Sequence, residues 1–191
     1  MGRKRTPLGG RRAALLELRE LLLAGEPIPT DGWVSSMEIL PAVRTYLRVG
    51  AAFRRKGLPA ALELMPPRPP ASRPARATPG RAGTLCARSA ASRVLGLART
   101  LSGRHLCLHE SLALCAALRR LGFPTQVVIG YPVIEPADGS EELHAWPALG
   151  DIPVTGPTDS SPVSYMELFR YPADGRPAEG VPSPGGVVSC R

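Results

Sequence analysis

The chain is short of aromatic residues and of acidic ones. Aromatics make up 5% of its 191 residues, which is thin for stacking successive bases. Asp and Glu number 16 against 24 Lys and Arg, giving a net charge of +8. A basic chain can attract nucleic acid, anionic lipid or acidic peptide. Here the arginines are not gathered on one recognition helix. Much of the excess sits at the N-terminus (Arg3, Lys4, Arg5, Arg11, Arg12) and in a later proline-rich stretch (Arg68, Arg73, Arg76, Arg81). Charge placed this way reads as a solvated excess, so nucleic acid is not expected as a partner.

Long apolar runs are also missing. No stretch approaches the roughly 20 apolar residues of a membrane span, so no membrane is expected either. The apolar segment after Arg12 is broken by Glu17, Arg19 and Glu20. No small-residue cleavage site follows it, which excludes a signal peptide. A cytoplasmic location is the resulting expectation. The four cysteines (Cys86, Cys107, Cys115, Cys190) are then free thiols, not a disulfide framework.

Proline (22) and glycine (20) are plentiful and clustered, so they mark where elements stop. Ala14 to Gly25 reads as a helix ended by Gly25 and Pro27. Residues 1–34 together form a basic, helical extension. Ser35 to Gly57 is a second helical segment, with Ser35 and Glu38 at capping-box spacing; Pro41 is an alternative first residue for it. Leu58 to Met65 continues as a short helix. Pro66 to Gly83 has too many prolines for a regular element and reads as an extended, solvated linker. Thr84 then caps a small-residue helix ending at Ser102-Gly103, with Cys86 as a packing residue in its first turn. Another helix runs from about Cys107 to Leu121 and stops at Gly122, with Pro124 beyond.

From Thr125 the period changes. Thr125 to Ile134 is β-rich, and Pro136 to Glu141 is a turn or mobile loop. Glu142 to Leu149 alternates as a strand does. Gly150-Asp151 makes a hairpin turn, and Ile152 to Thr155 returns. Ser164 to Tyr171 is a strand or a short helix. Residues 173–191 read as a disordered tail. Helices followed by an antiparallel sheet make an α+β plan, with the main domain over 35–172.

One juxtaposition carries chemistry. Cys107 opens a helix, where unpaired backbone N–H groups favour thiolate. A nearby imidazole can lower the thiol pKa further and shuttle its proton. His144, on the second strand after that helix, is placed to supply it. A third group should orient the imidazole. The bland alternative for Cys107 is a buried apolar residue. Cys115 lies mid-helix beside Leu108, Leu112 and Leu118 and reads as a core thiol, while His105 and His109 read as surface residues. Metal binding is not expected: His-x-Cys-x-His fits no common zinc spacing, and alternate residues cannot converge from one helix face. No cofactor is expected.

These residues resemble a known family. CLHESLALCAALRRLGFPTQVVIG, followed by HAWPALGDIPVT and SYMELFRYP, resembles the B2 proteins of lasso-peptide biosynthesis over about Leu40 to Pro172. The resemblance implies a transglutaminase-like, papain-related fold and a cysteine peptidase that removes the leader from a precursor peptide. It implies a separate leader-recognition protein of the RRE type and a lasso cyclase as partners. Cys107 takes the nucleophile's place and His144 the general base's. The family's acidic residue on the return strand has no direct counterpart, because Val154-Thr155-Gly156 stand there. Asp159 is the better substitute and Asp151 the lesser one, while a backbone carbonyl or a water could orient the imidazole instead. Trp146 either walls the substrate groove or packs in the core. Two other activities stay open: acyl transfer by the same Cys–His pair, and peptide binding without catalysis.

Overall fold

A computed structural model describes residues 19, 32–69, 76, 80–133, 143–156 and 165–171. The expected helix at Ala14–Gly25 (Arg19 excepted), the loop at 136–141, Asp159, the 173–191 tail and Cys190 lie outside the described residues.

Helix α1 (Ser36–Glu63) opens on the expected capping box. Ser35 N–H donates to Glu38 Oε2 at 2.9 Å, and Glu38 N–H donates to Ser35 Oγ at 3.3 Å. Two otherwise unmatched donors are thereby satisfied. The helix therefore starts ahead of Pro41, which lies inside it, and the alternative start is corrected. Gly57, at φ +76°, breaks α1 into two helical pieces where Leu58-Pro59 begins the second. Only glycine enters that backbone region without strain.

Helix α2 (Arg81–Ser102) begins one turn earlier than expected. Its N-cap is Gly80, not Thr84, whose N–H already donates to Gly80 C=O at 2.9 Å. Gly83, Thr84 and Leu85 are all buried, so packing carries the helix into a stretch that reads as linker. Buried Ala87, Ala90, Ala91 and Ala98 let its neighbours approach closely.

The linker holds a second correction. Arg76 is 1% exposed, not solvated. Its guanidinium donates to Gly32 C=O at 3.1 Å and Leu121 C=O at 2.8 Å, and pairs with Glu38 at 3.0 Å. The group also lies 5.7 Å from the centre of the Phe123 ring. Burying a guanidinium is tolerable only with partners of this kind.

Helix α3 (Cys107–Arg120) is the centre of the molecule. Every residue from Ser111 to Arg119 is buried, as befits a helix surrounded on all sides. It packs against α1, α2 and a four-stranded antiparallel sheet. The strands are β1 (Gln126–Pro132), β2 (His144–Leu149), β3 (Ile152–Pro153) and β4 (Tyr165–Tyr171), in the order β3-β2-β1-β4. Gly150 at φ +59° and Asp151 make the expected hairpin between β2 and β3, and of the last expected segment Tyr165–Tyr171 is a strand. Val127 and Ala145 cluster with Leu112 and Cys115 of α3, whereas Val128, Trp146 and Ala148 form a separate cluster with Tyr165. The two clusters occupy opposite faces of the sheet, as strand alternation requires.

Candidate active site at the head of helix α3

The turn at Gly103 (φ +77°) sends the chain from α2 into α3 through Arg104, His105 and Leu106. Leu106 is the N-cap and supplies no side-chain hydrogen bond. The first intrahelical bond runs from Glu110 N–H to Leu106 C=O at 3.0 Å. The N–H groups of Cys107, Leu108 and His109 therefore precede any i→i−4 partner. They present positive partial charge at the half-buried Cys107 thiol.

The position of this helix end against the sheet follows from β2. One edge of β2 pairs with β1, leaving the C=O groups of Leu143, Ala145 and Pro147 on the other edge. Pro147 C=O accepts from Val154 N–H at 2.8 Å. Ala145 C=O accepts from Ser111 Oγ at 2.8 Å, in a buried contact. Leu143 C=O lies 4.0 Å from Cys107 Sγ. Side chains four apart on a helix are separated by about 6 Å, and alternate carbonyls on a strand by about 6.6 Å. The spacings match, so α3 replaces β3 as the neighbour of this half of the edge. His144 lies between the two contacted carbonyls.

Cys107 and His144 accordingly line one cleft of about 360 Å³. Arg99, Arg104, His105, Glu110, Ser111, Thr155 and Gly156 also line it. The His144 ring is 6.1 Å from Trp146 and 5.6 Å from Tyr165, centre to centre. Gly156, at φ +99°, covers the other side. A Cβ there would sit 2.8 Å from Trp146 Cβ and 3.5 Å from His144 Nε2. Glycine is thus required by both backbone and space. Trp146 is buried among Val128, Ala148 and Tyr165 and does not line the cleft, so it belongs to the core.

The structure brings Cys107 and His144 together and leaves the expected third member unassigned. Asp159 lies outside the described residues. Asp151 is fully exposed at the hairpin tip and sits 3.5 Å from Arg170, at the opposite end of β2 from His144, which removes it as an orienting group. Among the described residues, Glu110 is the carboxylate that lines the cleft, and it forms an ion pair with Arg99. Burial, reinforced by the Glu110 charge, pushes the hydroxyl of Tyr46 up to about 12.

His109 is buried, which corrects its expected surface position. Its ring stacks on His105 at 4.0 Å and on Phe53 at 5.4 Å, and a Cβ at Gly50 would come within 2.6 Å of its Nε2. Burial, then the neighbouring His105 and Arg54, lower its pKa to about 4. Cys115 is the expected core thiol. It lies 3.3 Å from Thr125 C=O, and burial pushes its pKa up to about 11. Cys86 is buried too. Among the described residues, no group of three His, Cys, Asp or Glu side chains is placed to hold a metal ion. Among the same residues, no helix is long and apolar enough to cross a membrane.

A thiol at an uncapped helix end beside a strand-borne imidazole is an arrangement suited to acyl chemistry. A family model for the transglutaminase-like superfamily matches residues 43–170, from α1 to β4. The chain belongs to the transglutaminase-like superfamily. That superfamily includes cysteine peptidases and transglutaminases. Neither curated proteins nor solved structures return a match. Within this transglutaminase-like domain, sequence reading missed Ser111, Arg99, Arg104, Glu110 and Gly156. Ser111 had a detectable signal, because it stands four residues after Cys107 and therefore on the same helix face. Gly156 offered a weaker one, as a glycine just past a hairpin. The Arg99–Glu110 pair offered none.

Proposed function

We propose that this chain is a cysteine peptidase that removes the leader from a lasso-peptide precursor. One observation carries the reading: Cys107 and His144 share a cleft at the uncapped start of α3. The likeness of CLHESLALC and HAWPALGD to the lasso B2 proteins supports the choice of substrate. The Cys107 thiolate attacks the carbonyl carbon of the bond joining leader and core. The backbone N–H groups at the helix start stabilise the oxyanion. His144, protonated, gives its proton to the leaving amine, and the released core carries a new amino terminus. His144 then takes a proton from water, which attacks the Cys107 thioester and frees the leader's new carboxylate. A separate recognition protein presents the leader, and a cyclase takes the core. Asp159 is proposed as the group that orients His144.

The test is a precursor incubated with its recognition protein and followed by mass spectrometry. Wild type should yield two fragments, and Cys107→Ala and His144→Ala should each lose at least about a thousandfold in rate. Retained cleavage in Cys107→Ala would remove the proposal. A second reading, peptide binding without cleavage, is favoured by one observation: among the described residues no hydrogen bond reaches the His144 ring. Tight precursor binding with no Cys107-dependent product would select it. A product in which an amine has replaced water would select acyl transfer.

A further inference from the structure

Two arginines line the Cys107–His144 cleft, and only one has a partner. Arg99 is committed to Glu110. Arg104 is exposed, and among the described residues it makes neither a hydrogen bond nor an ion pair. Among the described residues, the Arg and Glu charges that line the cleft cancel except for this guanidinium. The Cα of Arg104 stands three residues before that of Cys107, at most about 11 Å away along the chain. That distance equals about three residues of an extended peptide. Two exposed leucines flank the thiol: Leu106, 85% exposed, and Leu143, 54% exposed, whose C=O faces Cys107 Sγ.

We propose that Arg104 is a specificity residue that binds an acidic side chain of the substrate within three residues of the bond cleaved. Leu106 and Leu143 cover an apolar residue beside it. A guanidinium fork suits a carboxylate through two parallel hydrogen bonds. The substrate part of this inference rests on the peptidase reading; the anion site itself does not. Arg104 lies in an exposed turn, so its replacement leaves the core untouched.

Two measurements test it. The first is the alkylation rate of Cys107 by iodoacetate, an anion, and by iodoacetamide, which is neutral, with N-acetylcysteine as reference. An attraction of about 1 kcal/mol at 4 Å in water corresponds to roughly fivefold. The iodoacetate-to-iodoacetamide ratio should therefore fall about fivefold in Arg104→Gln at low salt, and wild type should lose the same advantage in high salt. An unchanged ratio overturns the proposal. The second measurement uses end-blocked precursor peptides carrying Asp or Asn at each of three positions on either side of the cut. Wild type should prefer Asp at one position by about tenfold in kcat/KM, and Arg104→Glu should prefer Lys there. Cleavage with no such preference overturns the acidic-residue assignment. If no peptide is cleaved in a Cys107-dependent way with the recognition protein present, the peptidase reading falls, and the alkylation ratio alone decides whether Arg104 is an anion site.

Discussion

The two ends of helix α3 are built on opposite terms. Its C-terminal end is tied down by side chains and by the turn that follows. Arg119 donates to Pro66 C=O at 2.7 Å and Thr125 C=O at 3.1 Å, and Arg76 donates to Leu121 C=O. Phe123 N–H returns to Leu118 C=O at 3.0 Å, and Gly122 turns at φ +94°. At its N-terminal end the cap residue offers no side chain, the thiol is half-buried, and a cleft lies open beside it. The two thiols of the helix follow the same division, since Cys115 is sealed and pushed up to about 11 while Cys107 faces the cleft. A saturated end anchors the helix. Groups left without partners at the other end remain available to a substrate. Satisfaction on one side is what lets the other stay incomplete without costing the fold.

The comparison breaks most severely at Arg76. Arg76→Ala would leave Leu121 C=O and Gly32 C=O without this donor and take one cation away from Glu38. It should cost about 3 kcal/mol, read as a lowered denaturation midpoint at constant m-value. Arg76→Lys should recover only part of this, because an ammonium cannot reproduce the fork. A change under about 0.5 kcal/mol would mean that the C-terminal end is not anchored there. Ser111→Ala acts on the other end. It leaves the buried Ala145 C=O without its donor and should cost about 1–2 kcal/mol. It should lower kcat more than KM, since it loosens the strand carrying His144 and leaves the cleft wall in place. Ser111→Thr should rescue.

A pH dependence comes from His109. Its folded pKa is lowered to about 4 from the ordinary 6.5, through burial first and the His105 and Arg54 charges next. The unfolded chain therefore takes up a proton before the folded one does. The contribution of this site to stability is full above pH 6.5 and is lost as pH falls from 6.5 toward about 4. Denaturation midpoints across that window should decline in wild type, and the decline should be shallower in His109→Phe. Equal slopes would show that His109 is not held neutral by the fold.

The sequence carried most of α3 and the sheet. Gly122 and Pro124 mark the helix end, the change of period marks β1, and Gly150-Asp151 marks the hairpin. These are local signals, each set by φ preferences or alternation within a few residues. That Cys107 and His144 line one cleft was legible because the order of elements fixes which helix end meets which strand. Arg76 was not, since its partners are 38 or more residues away and its own surroundings are proline-rich. The early start of α2 was hidden for a related reason: Gly80 offers no cap side chain, and burial of Gly83 to Leu85 supplies what propensity does not. His109 looked like a surface residue because nothing near it in sequence announces the space left by Gly50.

The divided edge of β2 has a consequence for self-association. An open strand edge is a template on which another chain can add. Here the hairpin covers one half and the head of α3 covers the other, through Ser111 and Cys107. The contacts that seat the head of α3 beside His144 are thus also a guard against strand addition from a neighbouring molecule. A lesion that unseats α3 would take apart the cleft and uncover this edge at the same time, so loss of the site and strand addition would go together.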